Sequence, residues 1–238
     1  MHPDSTQRSE GIALIAFDVD GTLVDHPEGK VIWELLNRRF MGDDRMNHQR
    51  YHDYQAGIID YPTWVALDVG GWIEAGATRP EIMTEVRALR PVDHATEVLH
   101  ELRDRGYLLA VISGTLDVVL DEFFPEHPFC GVYTNHLEFD AAGRLTGWRA
   151  TPFDMDGKAR ALDHLAKRHG LPLLRCAFVG DNVNDLGVAR VAGLSVAFNA
   201  KSAELESIAH VVIRSPSLAP VAALFPGCGD PPVGDGLP

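Results

Sequence analysis

Cysteine, positive charge and long apolar runs are all scarce in this chain. Only three cysteines occur among 238 residues, Cys130, Cys176 and Cys228, an odd number with no metal-ligand spacing. That argues against a disulfide framework and a cysteine-held zinc, and for free thiols in a reducing cytoplasm. Just 21 basic residues face 34 acidic ones, for a net charge of −13. A nucleic-acid partner needs a basic footprint, and none is present. No basic amphipathic helix offers itself to a membrane surface. The longest apolar runs, at 12–17 and 107–112, are too short to span a bilayer. The opening residues MHPDSTQRSEG are polar, without the apolar stretch of a signal peptide.

What remains is ordinary globular material, 45% hydrophobic and 23% charged. Residues 12–17 (IALIAF) read as a strand buried on both faces, as a parallel sheet requires. Similar runs recur at 107–112, 176–179 and 194–198, with a weaker one at 210–213. Helical patterns stand between them at 95–106, 158–170 and 185–193, each closing on glycine. This alternation predicts an α/β fold, a Rossmann-like parallel sheet with helices on both faces. Residues 137–148 break the rhythm and read as a β-hairpin turning near Gly143. Residues 26–90 hold no continuous apolar strand, and helix-like stretches at 29–41 and 62–74 flank a polar middle. They read as a small helical insert after the first strand. The core is then expected at 12–25 and 91–225, with a disordered N-terminus at 1–11 and a disordered Pro/Gly-rich tail at 226–238.

Ligands of open α/β sheets collect at the carboxyl ends of the strands. The first strand delivers Asp18, Asp20 and Thr22 there, and the second delivers Ser113, Gly114 and Thr115. The run FVGDNVND delivers Asp181, Asn184 and Asp185, and Lys158 opens a helix after DMDG. Singly, each has a plain structural reading as a turn, a cap or a solvated face. Yet Lys158 is one of only four lysines in a chain that otherwise prefers arginine. Several carboxylates gathered at one sheet edge repel one another unless a cation intervenes. Mg²⁺ suits oxygen ligands shared between carboxylates and a substrate phosphate. Lys158, the Ser113 hydroxyl and the Gly114 N–H complete a cradle for phosphoryl oxygens, the needs of phosphoryl transfer.

These motifs, DVDGT at 18–22, SGT at 113–115, Lys158 and GDNVND at 180–185, resemble in content and order those of the haloacid-dehalogenase (HAD) superfamily. The likeness covers roughly residues 12–213, and the insert resembles that superfamily's helical type 1 cap. DMDGKARAL and FVGDNVNDLGVARVAGLSVAFNAK look most like the phosphoserine-phosphatase branch. The resemblance implies a phosphatase in which Asp18 is the nucleophile, forming an aspartyl-phosphate, and Asp20 is the general acid and base. It implies Mg²⁺ held by an Asp18 oxygen, the Asp20 backbone carbonyl and Asp181, with Asn184 and Asp185 supporting metal and phosphate. Dehalogenating branches lack the second aspartate, so a small phosphate ester is the expected partner.

The cap is expected to read the leaving group. Phosphoserine phosphatases use a cap glutamate for the substrate amine, and the nearest acid here is Glu28, one position late. They use a cap arginine for the carboxylate, and an ungapped alignment from Gly57 places Asp68 there. An aspartate facing the substrate would repel a carboxylate, which favours a polyol, sugar or amino-alcohol phosphate over phosphoserine. Trp64 is the third candidate for specificity, through contact between its ring and an amine. A phosphomutase or a non-catalytic phosphometabolite binder on the same fold are the rival readings.

Overall fold

The computed structural model describes residues 11–227, so Cys228, residues 1–10 and nearly all of the expected tail lie outside the described residues. In chain order the strands are β1 Leu14–Phe17, β2 Val24–Asp25, β3 Arg90–Pro91, β4 Leu108–Leu116 and β5 Phe129–Phe139. β6 Leu145–Arg149, β7 Cys176–Gly180, β8 Leu194–Phe198 and β9 Val211–Ile213 complete them. The helices are α1 Ile32–Met41, α2 Met46–Gln55, α3 Tyr61–Glu74, α4 Arg79–Val86 and α5 Ala95–Asp104. They continue with α6 Asp117–Phe123, α7 Lys158–Arg168, α8 Leu186–Val191, α9 Ala203–Ile208 and α10 Ala219–Ala222.

Seven strands form one sheet in the order β6-β5-β4-β1-β7-β8-β9. All neighbours run parallel except the β5–β6 hairpin, which is antiparallel. β1 lies in the middle, flanked by β4 and β7. Side chains alternate across it. Ile15 and Phe17 enter the core beneath α5, whereas Leu14 and Ala16 enter the one shared with Ala161, Leu162 and Leu165 of α7. Burial on both faces explains why β1 carries no polar residue before Asp18.

The expected hairpin is present, with Gly143 at φ 78° in its turn. Its first strand starts earlier than the sequence pattern suggests. Residues 129–135 pair in parallel with β4 although the strand's first five residues are only partly buried. A strand near the sheet edge needs less apolar character, so the pattern was weak there.

Between β1 and α5 stand four helices, α1 to α4, where the sequence pattern indicates two. α2 escaped because it has no buried residue and therefore no apolar stripe. α4 is short, with proline in its first turn and Glu81 closing a capping box on Thr78. The two chain connections to this helical cap pair as the β2–β3 ribbon, Val24 opposite Pro91. The cap interior, with Trp33, Leu36, Val69 and Trp72, is continuous with the sheet core. Trp33 and Trp72 pack with ring centroids 5.2 Å apart. No helix among the described residues is long and apolar enough to cross a membrane, and Cys130 and Cys176 are free.

Candidate active site

β4, β1 and β7 run side by side to the sheet's carboxyl edge. There Asp18 directly after β1, Asp181 directly after β7, and Ser113, Gly114 and Thr115 inside the last stretch of β4 face one cavity. β4 runs four residues past the end expected at 112. Chain direction makes that crevice, because β1 continues to one side through β4 while the chain later returns to its other side through β7. Asp18 follows β1 directly, is 4% exposed, and accepts a hydrogen bond from the Val19 N–H at 2.8 Å. Asp20 stands two residues on. Gly21, between them and Asp181, has φ 86°, and a Cβ on it would lie 2.1 Å from Asp181 Oδ2. Only glycine permits that close approach.

Lys158, the first residue of α7, is wholly buried. Its Nζ lies 3.0 Å from Asp18 Oδ2 and donates to Asp185 Oδ1 at 2.7 Å. Asp154 Oδ1 is 4.0 Å away. Burial works to lower the ammonium's pKa, but the charges of Asp18, Asp185 and Asp154 outweigh it and raise it. Lys158 therefore stays charged. The other oxygen of Asp185 accepts from the Asp181 and Asn182 N–H groups at 2.9 and 3.1 Å. Asp185 is thus satisfied, and it fixes both the lysine and the loop after β7.

Asp181 is the opposite case. It is 1% exposed, yet neither carboxylate oxygen has a hydrogen-bond partner, and the nearest cation is Lys201 Nζ at 3.3 Å. Burial, then the charge of Asp18, raises its pKa well above the usual carboxylate range. Oxygens of Asp18, Asp181 and Asp185 lie within 4.8 Å of one another. Buried, orphaned carboxylate oxygens at this spacing are a donor set for a hard divalent cation. Asp20 Oδ1 is also buried without a partner, and burial, with the Asp18 charge adding, pushes its carboxyl up to about 6.

Ser113 and Gly114 line the same cavity. Ser113 Oγ accepts from the Thr115 N–H at 3.1 Å. A Cβ on Gly114, in β4, would sit 2.0 Å from Asp154 Oδ2, so either the strand or the Asp154 carboxylate would have to move to admit one. Asn184 lines the cavity and donates through Nδ2 to Asp154 Oδ1 at 3.3 Å. The structure thus brings Asp18, Asp20, Ser113, Gly114, Asp181 and Asn184 to one cavity of about 390 Å³, with Lys158 and Asp185 buried directly behind them.

The cap closes the cavity from the other side. Trp33 Nε1 donates to the Gly114 carbonyl at 2.8 Å, Asn135 Nδ2 to Tyr61 Oη at 2.8 Å, and Tyr54 Oη to Asp156 Oδ2 at 3.0 Å. Of the three specificity candidates, only Trp64 lines the cavity. Glu28 is exposed in a turn whose backbone N–H donates to His26 Nδ1, and it is not among the lining residues. Asp68 is fully buried and turned away from the cavity. Asn37 Nδ2 donates to its Oδ1 at 3.0 Å, Trp64 Nε1 to its Oδ2 at 2.9 Å, and Arg50 pairs with it. The expected repulsion between Asp68 and a substrate carboxylate has no structural basis.

Sequence reasoning missed Asp154, Lys201, Trp33, Asn47, His48 and Tyr61, all of which line the cavity, as does Tyr51 of the cap's aromatic set. Lys201 was within reach, being another rare lysine just past the carboxyl end of β8. The cap residues come from three helices and share no sequence spacing, so no local signal marks them.

The chain belongs to the haloacid dehalogenase-like hydrolases, whose family model matches residues 15–190. Among its relatives is the phosphoserine phosphatase SerB2 of Mycobacterium tuberculosis, 32% identical over 94% of this chain and 54% of that protein. The phosphoserine phosphatase of Methanocaldococcus jannaschii is 32% identical over 79% of this chain and 86% of that protein. A substrate-bound phosphoserine phosphatase complex superposes with TM-score 0.71 at 25% identity, covering 89% of this chain and 97% of the other. The chain spans 54% and 63% of the first two curated relatives it matches, the SerB2 protein and the Archaeoglobus fulgidus phosphoserine phosphatase.

Proposed function

We propose that the chain is a Mg²⁺-dependent phosphomonoester hydrolase working through an aspartyl-phosphate, with residues 12–25 and 91–225 as catalytic core and 26–90 as the cap over it. One observation carries this reading: a buried Asp18 within 3.0 Å of Lys158 Nζ, beside an Asp181 whose two buried oxygens lack hydrogen-bond partners. An Asp18 oxygen, the Asp20 carbonyl and Asp181 would hold the cation, which supplies charge neutralisation to the phosphoryl oxygens when bound. Asp185 is occupied by Lys158 and two backbone N–H groups, which suits it to support rather than ligation.

The chain's own residues then divide the work. Asp18 carboxylate attacks phosphorus, the ester P–O bond breaks, and protonated Asp20 gives its proton to the departing alkoxide. Asp20, now a carboxylate, takes a proton from water as that water attacks the phosphorus of the aspartyl-phosphate. Phosphate leaves and Asp18 is restored. A carboxyl pushed up to about 6 suits a group that must hold a proton in one half-reaction and accept one in the next. Ser113, the Gly114 N–H, Lys158 and Asn184 are the groups proposed to orient the phosphoryl oxygens.

The substrate is a small phosphate ester. Phosphoserine stands in the panel on equal terms, because several relatives bear its name and Asp68 does not oppose it. The test is phosphate release from phosphoserine, phosphoethanolamine, phosphocholine, sugar and polyol phosphates, and p-nitrophenyl phosphate, with Mg²⁺ and with EDTA. Mg²⁺-dependent release is expected. Absence of release from every ester, with the protein folded, overturns the reading.

A further inference from the structure

Eight residues line the cap side of the cavity: Val31, Trp33, Asn47, His48, Tyr51, Tyr61, Trp64 and Val65, and half of them are aromatic. Trp64 is central, with the Tyr51 and Tyr61 rings 6.4 and 6.2 Å from it and inclined at 62° and 68°. The polar atoms of these rings are largely engaged elsewhere. Trp33 Nε1 donates to the Gly114 carbonyl, Trp64 Nε1 donates to Asp68, and Tyr61 Oη accepts from Asn135. What they offer a ligand is therefore mainly ring carbon and π surface.

Charge on this side is equally specific. Among the described residues no lysine or arginine lines it, and its one basic residue, His48, stands 3.4 Å from Glu34 Oε1. Lys201, which lines the cavity, stands on the core side beside Asp181. Among the described residues no carboxylate lines the cap side either: Glu28 is outside the cavity, Glu34 accepts from the Val31 N–H and stands behind His48, and Asp68 is held by Trp64 away from it. The core side presents Asp18, Asp20, Asp154 and Asp181. An anionic leaving group finds no cap cation here, and an ammonium finds aromatic rings in place of an acid. Rings of this kind attract alkylammonium groups through their negative faces.

We propose that the cap reads a cationic leaving group, an ammonium-bearing alcohol, through Trp64, Tyr51, Tyr61 and Trp33 rather than through a carboxylate. This rests on the phosphatase reading above. Phosphoethanolamine and phosphocholine have the required chemistry, whereas phosphoserine has the ammonium together with a carboxylate for which this wall offers no cation. Asp68 takes part only by holding the Trp64 ring in place.

The test separates charge from shape. Phosphocholine is compared with 3,3-dimethylbutyl phosphate, its uncharged isostere, and phosphoethanolamine with propyl phosphate. In each pair kcat/KM is expected to favour the charged member by about tenfold, the scale of a desolvated cation–π contact. Phosphoserine against phosphoethanolamine reports which ammonium source the site prefers. Parity in both charged–neutral pairs overturns the inference while leaving the phosphatase standing, since the esters are still hydrolysed. Should no ester turn over, tryptophan quenching by the same pairs on Asp18→Asn decides the question without chemistry, on the same criterion.

Three variants locate the effect. Trp64→Leu is expected to cut the charged-to-neutral ratio by about fivefold or more, and Trp64→Phe to retain most of it. Tyr51→Leu, on the helix with no buried residue, gives the same readout should Trp64→Leu fail to fold. Unchanged ratios in the folded leucine variants overturn the assignment.

Discussion

Asp68 Oδ2 and Trp64 Nε1 lie 2.9 Å apart, one turn apart on α3, and that hydrogen bond ties the cavity wall to the cap interior. The same carboxylate accepts from Asn37 and pairs with Arg50, and Asn37 Oδ1 in turn accepts from Trp72 Nε1 at 2.8 Å. A buried network of this kind is stable when every member is satisfied and costly when one is removed.

Asp68→Ala strands the Arg50 guanidinium, the Trp64 N–H and one Asn37 donor in the cap interior. The expected loss is about 3–5 kcal/mol, the cost of breaking a buried pair by removing one partner. Chemical denaturation with a tryptophan signal measures it. A loss under about 1 kcal/mol, the scale of a surface pair, shows that Arg50 relaxes to solvent.

Asp18→Asn is nearly isosteric and removes the attacking oxygen's charge. Phosphate release is expected to fall at least about a thousandfold, in keeping with loss of a covalent nucleophile. The melting temperature without metal is expected to hold or rise, because one of several crowded carboxylates is gone. Turnover near the parent's removes Asp18 from the nucleophile's role.

Lys158→Met keeps the side chain's length and deletes its charge. Asp18 and Asp185 then face each other unpaired in a buried site, and stability is expected to drop by about 3 kcal/mol or more. Activity falls with it. Added Mg²⁺ is expected to recover part of the stability but not the rate, which a thermal melt and an assay at matched metal concentration report together.

Gly114→Ala places a methyl on the Asp154 carboxylate, with 2.0 Å available where van der Waals contact needs nearly twice that. The β4 backbone at 113–115 has to shift, and kcat is expected to fall about a hundredfold, the effect of displacing a positioning group by about 1 Å. Activity within threefold of the parent shows that Asp154, and not the strand, gives way.

Tyr54 Oη donates to Asp156 Oδ2 across the gap between α2 and the loop before α7. Tyr54→Phe removes that link from the closed cap and nothing from the catalytic core. KM is expected to rise about three- to tenfold with kcat little changed, the result of losing a hydrogen bond to a charged group in a half-exposed place. A fall in kcat at constant KM assigns Tyr54 to the chemical step instead.

The core architecture was legible because each cue is local. The apolar run at 12–17 is too short for a buried helix and is closed by turn residues, which marks the strand buried on both faces at Leu14–Phe17, and a glycine after a basic turn marks a helix end. The carboxylates were legible for a related reason. Asp18 and Asp181 stand directly after β1 and β7, so the sheet's direction alone gathers them at one edge, beside Ser113 near the carboxyl end of β4. Lys158 stood out through the rarity of its residue type.

The cap was a different matter. Asp68 occupies a position from which alignment expects a side chain to meet substrate, yet helix packing turns it inward to Asn37, Trp64 and Arg50. Its role depends on where α1 and α2 lie against α3, and no period in the sequence carries that information. The same holds for Tyr51, Trp64 and Trp33, which meet around one cavity from three helices. By itself the sequence determined the sheet, its order of motifs and the acidic edge, because strand ends and local turns place those groups. Only the tertiary structure decided which cap residues face the leaving group, because that depends on how separate helices pack, and packing is set by shape and buried hydrogen bonds between residues far apart in the chain.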